Sequence, residues 1–196
     1  MIDKKKNILF VCPTEIYGGG EVYLKTIIKG FFLSRRFESI HLIAPKNKLI
    51  QDVQGMVILH DGLDVAVKSN LLVLIFRLNK IIKAESVDIV FFNGFNECGW
   101  IAPFVHARKK ICTGHNNFNT FEGQFFSEGK ASGVVKIIKR PFQYFFVFLA
   151  FRSFDKFICI NNLVFNNLER VVDRTKLTKI PNGVDEVRRR EKSNGI

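Results

Sequence analysis

The chain has no long hydrophobic run. Its longest unbroken apolar stretch, Tyr144 to Phe151, is 8 residues out of 196, whereas a membrane-crossing helix needs about 18 or more. No transmembrane span is expected. A secretory leader is not expected either, because the apolar stretch behind the basic start, Ile8 to Val11, is short and runs into Cys12-Pro13. Cysteine is scarce. Cys12, Cys98, Cys112 and Cys159 form no CxxC pair and show no metal-ligand spacing with the 4 histidines, which argues against a zinc site. Three of them sit in apolar, strand-like runs (ILFVC, KKICTG, KFICI), where a reduced thiol packs as a small hydrophobe. This usage fits the cytoplasm, with no disulfide framework. Acidic residues are also few: 18 Asp+Glu stand against 30 Lys+Arg, a net charge of +12. That excess points to an anionic partner, whether nucleic acid, phosphorylated substrate or lipid. What remains is ordinary for a globular domain, with 47% hydrophobic and 24% charged residues.

Strand-like and helix-like segments alternate along the chain. Asn7–Cys12, Ser39–Ala44, Met56–Leu59, Asp88–Phe92, Lys110–Thr113, Lys156–Ile160 and Lys176–Ile180 read as strands. Between them, Leu24, Ile27, Ile28, Phe31 and Phe32 recur at helical spacing. A second helix carries Leu71, Leu74, Ile75, Leu78, Ile81 and Ile82, with Ser69 as its expected cap. Further helices are expected around Trp100–His106 and from Ser132 to Ser153, the latter kinked at Pro141, with Phe142–Phe151 mostly buried. The last places Val164, Phe165, Leu168, Val171 and Val172 on one face. Strands apolar on both faces, separated by helices, predict an α/β fold: a doubly wound, mostly parallel Rossmann-like sheet with helices on both faces. Residues 1–185 form this domain, and the basic stretch 186–196 (EVRRREKSNGI) reads as an unstructured tail.

In such sheets ligands bind beyond the carboxyl ends of the strands. Three loops there hold residues capable of chemistry. Pro13–Glu21 (PTEIYGGGE) leads straight into a helix, whose free N–H groups can face an anion. It is neither GxGxxG, since Tyr23 takes the third glycine position, nor a P-loop, since no GK[ST] follows. Phosphate contact and a plain glycine turn both stay open. His115, in Thr113-Gly114-His115-Asn116-Asn117, follows the fifth strand and reads as a hydrogen-bond donor or base, or else as a surface residue. Asn161 after KFICI is explained as a helix cap ahead of ligand contact.

These pieces in this order, GGG-E after the first strand, the strand-end His in ICTGHN, then DKFICIN and KLTKIPNGVD, resemble the N-terminal domain of retaining GT-B glycosyltransferases of family 4. The resemblance covers about residues 6 to 185, and Ile180–Asp185 is its most specific piece. It implies that Gly18, Gly19 and Gly20 lie against the donor diphosphate and the acceptor, and that His115 contacts the donor sugar and phosphate region as the catalytic residue. Asn161 stands where the family commonly has Ser. Glu21 and Asn116 flank these positions and complete the expected substrate-binding set.

The family's second domain binds the nucleotide sugar through two glutamates eight positions apart. No such pair exists here: Glu15 leads to Tyr23, Glu122 to Lys130 and Glu128 to Lys136. The resemblance therefore implies an acceptor-binding half, inactive alone. Either a truncated or frameshifted reading frame or one half of a split enzyme is expected, with a separate C-terminal glycosyltransferase domain as partner. The nucleotide sugar would be a donor substrate held by that domain, with no cofactor and no metal in this chain. The acceptor would be a polysaccharide or lipid-linked glycan. From Lys130 to Lys156 there are 6 basic residues and 1 acidic residue. With the aromatic loop Phe118–Phe126, Lys130, Lys136, Lys139 and Arg140 suggest peripheral docking on an anionic membrane surface at the inner face. The alternative is a catalytically silent Rossmann-like module that binds anionic lipid or another polyanion. Nucleic acid is not expected, because no recognition motif accompanies the charge.

Overall fold

The computed structural model of the protein describes residues 5–14, 17–60, 71–114 and 145–181. Seven strands build one sheet: β1 (Lys6–Val11), β2 (Phe37–Ile43), β3 (Ile58–His60), β4 (Ile89–Phe92), β5 (Lys109–Gly114), β6 (Lys156–Cys159) and β7 (Leu177–Lys179). Their order is β3-β2-β1-β4-β5-β6-β7, and every neighbouring pair is parallel. The doubly wound α/β reading is thus borne out. The helices are α1 (Gly19–Ser34), α2 (Lys48–Val53), α3 (Leu71–Ala84) and α4 (Phe95–Cys98), which continues into a 3-10 turn (Gly99–Phe104). Residues 145–153 form α5, and α6 is Asn162–Leu168.

Side-chain alternation along β1 feeds two cores. Ile8 and Phe10 pack with Leu24 and Ile28 of α1 and Leu49 and Val53 of α2. Leu9 and Val11 pack on the opposite face with Leu74 and Leu78 of α3, Phe95 of α4, Ala150 of α5 and Val164 of α6. Right-handed crossovers require this division. Connections stepping from β1 toward β3 pass over one face, and those from β3 to β7 pass over the other. The chain therefore reverses direction between β1 and β4, and that crevice opens at the carboxyl ends of the strands.

The helices differ from expectation in four places. Helix α2 is an addition, begun by Asn47, whose Oδ1 accepts from Leu49 N at 3.0 Å; its 6 residues are too few to show a helical period. The helix expected around Trp100 is the short α4 and the 3-10 turn, because Pro103 lies within the turn and removes a donor. Gly99 there is demanded by packing: a Cβ would sit 2.9 Å from Cδ2 of Phe95. Lys110 holds the end of this turn to β5, its ammonium donating to the carbonyls of Ala102 and Val105 at 3.0 and 3.1 Å. Helix α6 stops before Val171, which is exposed, although Val172 is buried as expected. In α5, Ala150 and Phe151 are buried, but Phe145, Phe146 and Phe148 are exposed. Ser69, residues 132–144 and the stretch 186–196 lie outside the described residues.

At the β2–β3 edge, His41 is buried. Its Nε2 is 2.7 Å from Ser39 Oγ and its Nδ1 is 3.0 Å from Nε2 of His60. Burial, and next the neighbouring His60, push the His41 imidazole below its ordinary value, with Glu85 opposing. A lowered histidine binds fewer protons folded than unfolded, so stability rises as pH climbs toward the unfolded value of about 6.5 and is lost as pH falls below it. Urea unfolding across pH 5 to 8 is expected to show a falling midpoint below about pH 6.5, and His41→Asn is expected to flatten that limb.

Candidate functional site

The loop after β1 and the first turn of α1 cross the carboxyl end of the sheet beside β4. Gly18 caps α1 in an extended conformation and, having no side chain, offers the helix no capping oxygen. Glu21 supplies the reverse contact, its Oε2 accepting from Gly18 N at 2.8 Å. Its other oxygen, Oε1, accepts from the Cys12 thiol at 3.7 Å. The Cys12 sulfur in turn lies 3.5 Å from Nδ2 of Asn93, which is also 3.5 Å from the Gly20 carbonyl. A buried polar relay thus runs from Asn93 at the end of β4 through Cys12 at the end of β1 to Glu21 and Gly18. Only 4% of Glu21 and 2% of Asn93 are exposed.

Strand β5 brings a further buried hydroxyl to this edge of the sheet. Phe92 pairs with Cys112, so Asn93 and Thr113 follow as neighbours in the same register. Thr113 is fully buried, and its Oγ1 has no hydrogen-bond partner among the described residues. After Asn93 the chain leaves the sheet at Gly94, whose φ of 103° favours glycine. On the other side the loop is braced by α2. Tyr17 Oη donates to Asp52 Oδ2 at 2.7 Å, and Lys25 Nζ reaches the same oxygen at 3.1 Å. The hydrogen bonds from Tyr17 and then Lys25 hold the Asp52 carboxyl below the usual carboxylate range. Asn47 Nδ2 ties the Thr14 carbonyl at 2.9 Å.

This arrangement presents backbone donors. By helix geometry the N–H groups of Gly19, Gly20 and Glu21 have no intrahelical acceptor. A Cβ on Gly19 would meet nothing within 4 Å, and one on Gly18 only Oε2 of Glu21 at 3.6 Å. Neither glycine has a positive φ, so the fold itself does not demand glycine at these two positions. The thiol of Cys12 is pushed up to about 11, by burial first and by the Glu21 carboxylate as a lesser cause, with the Asn93 contact opposing. It is therefore a neutral packing group at pH 7.

Of the residues singled out from the sequence, Gly18, Gly19, Gly20 and Glu21 come together here. Glu21 faces inward and spends both oxygens on the protein's own donors. Asn161 lies at the same edge of the sheet but beyond β5, where its Oδ1 caps α6 by accepting from Val164 N at 2.8 Å. His115 and Asn116 lie outside the described residues, as do Lys130, Lys136, Lys139 and Arg140; β5 ends at Gly114, the residue before His115. Asn93 and Thr113 were not among the expected site residues. A polar residue directly after an apolar strand, next to the reversal of strand order, was the available signal.

The family model for Glycosyltransferase Family 4 matches residues 17–188. The chain belongs to that family. Its fold is also that of solved glycosyltransferases. The lipopolysaccharide outer core galactosyltransferase WaaB, in its apo form, superposes with a TM-score of 0.63 at 11% identity, over 92% of this chain and 46% of that one. HepE of Anabaena, in complex with UDP-glucose, gives 0.59 at 17% identity, over 91% and 44%. A glycosyltransferase from Rickettsia africae gives 0.57 at 18%, over 92% and 44%. This family 4 chain therefore spans less than half the length of each. No curated protein matches it.

Two variants separate the roles of the loop. Gly19→Ala is expected to keep or slightly raise the urea midpoint, since alanine is the better helix former by up to about 1 kcal/mol. Asn93→Ala removes the buried amide between β1, β4 and the glycine turn and is expected to cost about 1–3 kcal/mol. Equal midpoints for the two variants would contradict the relay.

Proposed function

We propose that this chain is the acceptor-binding half of a glycosyltransferase that moves a sugar from a nucleotide sugar to a polysaccharide or lipid-linked glycan. The observation that carries this reading is the open glycine turn. Gly18 and Gly19 at the N-terminus of α1 are free of any steric demand from the fold, at the crevice where doubly wound sheets bind ligands. The match to family 4 over residues 17–188 supports it, as do fold neighbours that include a protein in complex with UDP-glucose. In this reading the amides of Gly19 and Gly20 face the donor diphosphate and the acceptor, and the relay through Glu21, Cys12 and Asn93 holds those amides in place. His115, which follows β5, acts at the donor sugar and phosphate. Asn116 and Asn161 are further substrate contacts in the same reading. Donor binding falls to a C-terminal glycosyltransferase domain, which the two-glutamate pattern missing here would mark. Four buried cysteines agree with a cytoplasmic setting.

Catalysis then requires both halves, because transfer depends on holding donor and acceptor in one geometry. The pure chain of 196 residues is expected to fold and to turn over no nucleotide sugar. Combined with a family donor domain, it is expected to support transfer. In that pair His115→Ala is expected to lower turnover about 100-fold, and Gly19→Ala to lower it without loss of stability. Radiolabelled sugar transfer, read beside urea midpoints, checks these outcomes. Turnover by the isolated chain would refute the half-enzyme reading, and an unaffected His115→Ala pair would return that residue to the surface. Binding of polyanions without any transfer in the reconstituted pair would favour the silent module instead.

A further inference from the structure

Three polar side chains line up across β2 and β3, at the sheet edge remote from β7. Ser39 and His41 flank Ile40 in β2 and therefore share one face of the strand. Parallel pairing sets His60 beside Ile43, which brings His60 to that same face. Ser39 Oγ lies 2.7 Å from His41 Nε2, and His41 Nδ1 lies 3.0 Å from His60 Nε2. The two imidazoles lie within 27° of one plane with their centroids 5.2 Å apart. With two nitrogens only 3.0 Å apart, rings at that separation meet edge to edge, in the direction of a hydrogen bond.

One arrangement of protons lets His41 accept from Ser39. Its Nε2 then carries the lone pair, so Nδ1 carries the hydrogen and donates it to His60 Nε2. Burial and the neighbouring His60 hold the His41 imidazole below its ordinary value, against the opposing Glu85, so it is neutral at pH 7 and able to take a proton. A serine hydroxyl on an imidazole whose other nitrogen is held by a third group is the arrangement that activates serine nucleophiles. Such a serine must also be reachable. Ser39 is only half-buried, and it lines a cavity of about 570 Å³ with Phe31, Phe37 and Met56 as apolar walls and Lys5 and Arg35 as cations. Ser39 sits near the start of β2, so this cavity opens at the amino edge of the sheet, opposite the glycine turn. A purely structural serine would need no cavity in front of it.

We propose that Ser39, His41 and His60 form a second reactive site, a serine hydrolase centre for short-chain acyl esters. Ser39 Oγ bonds to the ester carbonyl carbon while its proton passes to His41 Nε2, and the Nδ1 hydrogen of His41 stays on its bond to His60. The adduct then breaks its bond to the alkoxy oxygen, which takes the proton from Nε2 and leaves as the alcohol. Water gives a proton to His41 and its oxygen to the acyl carbon, the bond to Ser39 Oγ breaks, and the proton returns to Ser39 as the carboxylic acid departs. The apolar walls receive the acyl chain, and Lys5 and Arg35 are the cations available to offset charge on the carbonyl oxygen. The site owes nothing to sugar transfer, so the chain is tested as it stands. Hydrolysis of p-nitrophenyl butyrate is followed beside labelling by a fluorophosphonate, with the labelled residue found by mass spectrometry. The label is expected on Ser39, with hydrolysis above the buffer rate. Ser39→Ala is expected to abolish both, and His60→Leu to lower both about 100-fold or more, since it leaves the Nδ1 hydrogen of His41 without an acceptor. Circular dichroism and urea midpoints identify folded variants, and labelling of the unaltered chain needs no variant at all. No label on Ser39, hydrolysis unchanged by Ser39→Ala, or equal labelling of His60→Leu and the unaltered chain overturns the proposal.

Discussion

The buried carboxylate of Glu21 is the contact on which the site end of this sheet depends. Taking a carboxylate out of water is costly unless donors replace the water, and here two do, the Gly18 amide and the Cys12 thiol. The position in the first turn of α1 adds the favourable field of the helix N-terminus. One side chain thereby joins the end of β1 to the start of α1, and through Cys12 it reaches Asn93 at the end of β4. Without it Gly18 would lack its acceptor, and the glycine turn would keep only the Asn93 contact to the Gly20 carbonyl and the Tyr17, Asp52 and Asn47 contacts on its far side.

That local arrangement is useful only because the sheet delivers its parts to one place. Ile8, Leu9, Phe10 and Val11 are all buried and serve opposite cores, which makes β1 a central strand. A central first strand forces later strands to either side of it, and right-handed crossovers then set helices on both faces. The crevice between β1 and β4 is a consequence of strand order, and the glycine turn and Asn93 are brought to its two lips by the same order.

Much of this was legible in the sequence. Each of the seven strands lies within about two residues of its apolar run, because polar or breaking residues bound runs such as DIVFF and KFICI. Helix α1 was legible from its period and the glycine turn from its composition. What escaped was nonlocal. Asn93 reads as a turn residue until it is seen touching Cys12, 81 positions away. Glu21 was expected among the substrate contacts, and only the packing of α1 on β1 shows it turned inward onto the protein's own donors. Phe145, Phe146 and Phe148 were expected in the core because the run is apolar nearly all round, yet one helix on a sheet can bury only one face. That face went to Ala150 and Phe151, and the rest was left outside.

The 21 phenylalanines also limit how this chain can change over generations. Phe95 stacks on Phe151 with centroids 4.5 Å apart, and rings of Phe154, Phe157 and Phe92 continue the contact into β6 and β4. Gly99 lies against Phe95 with no room for a methyl group. Positions 95 and 99 thus share one volume. Alanine at 99 becomes tolerable only once residue 95 has shrunk, and a smaller residue at 95 alone leaves a cavity beside the stack. Substitution there must pass through a less stable intermediate or arrive as a pair, so the aromatic column acts as a ratchet on the drift of this half of the sequence.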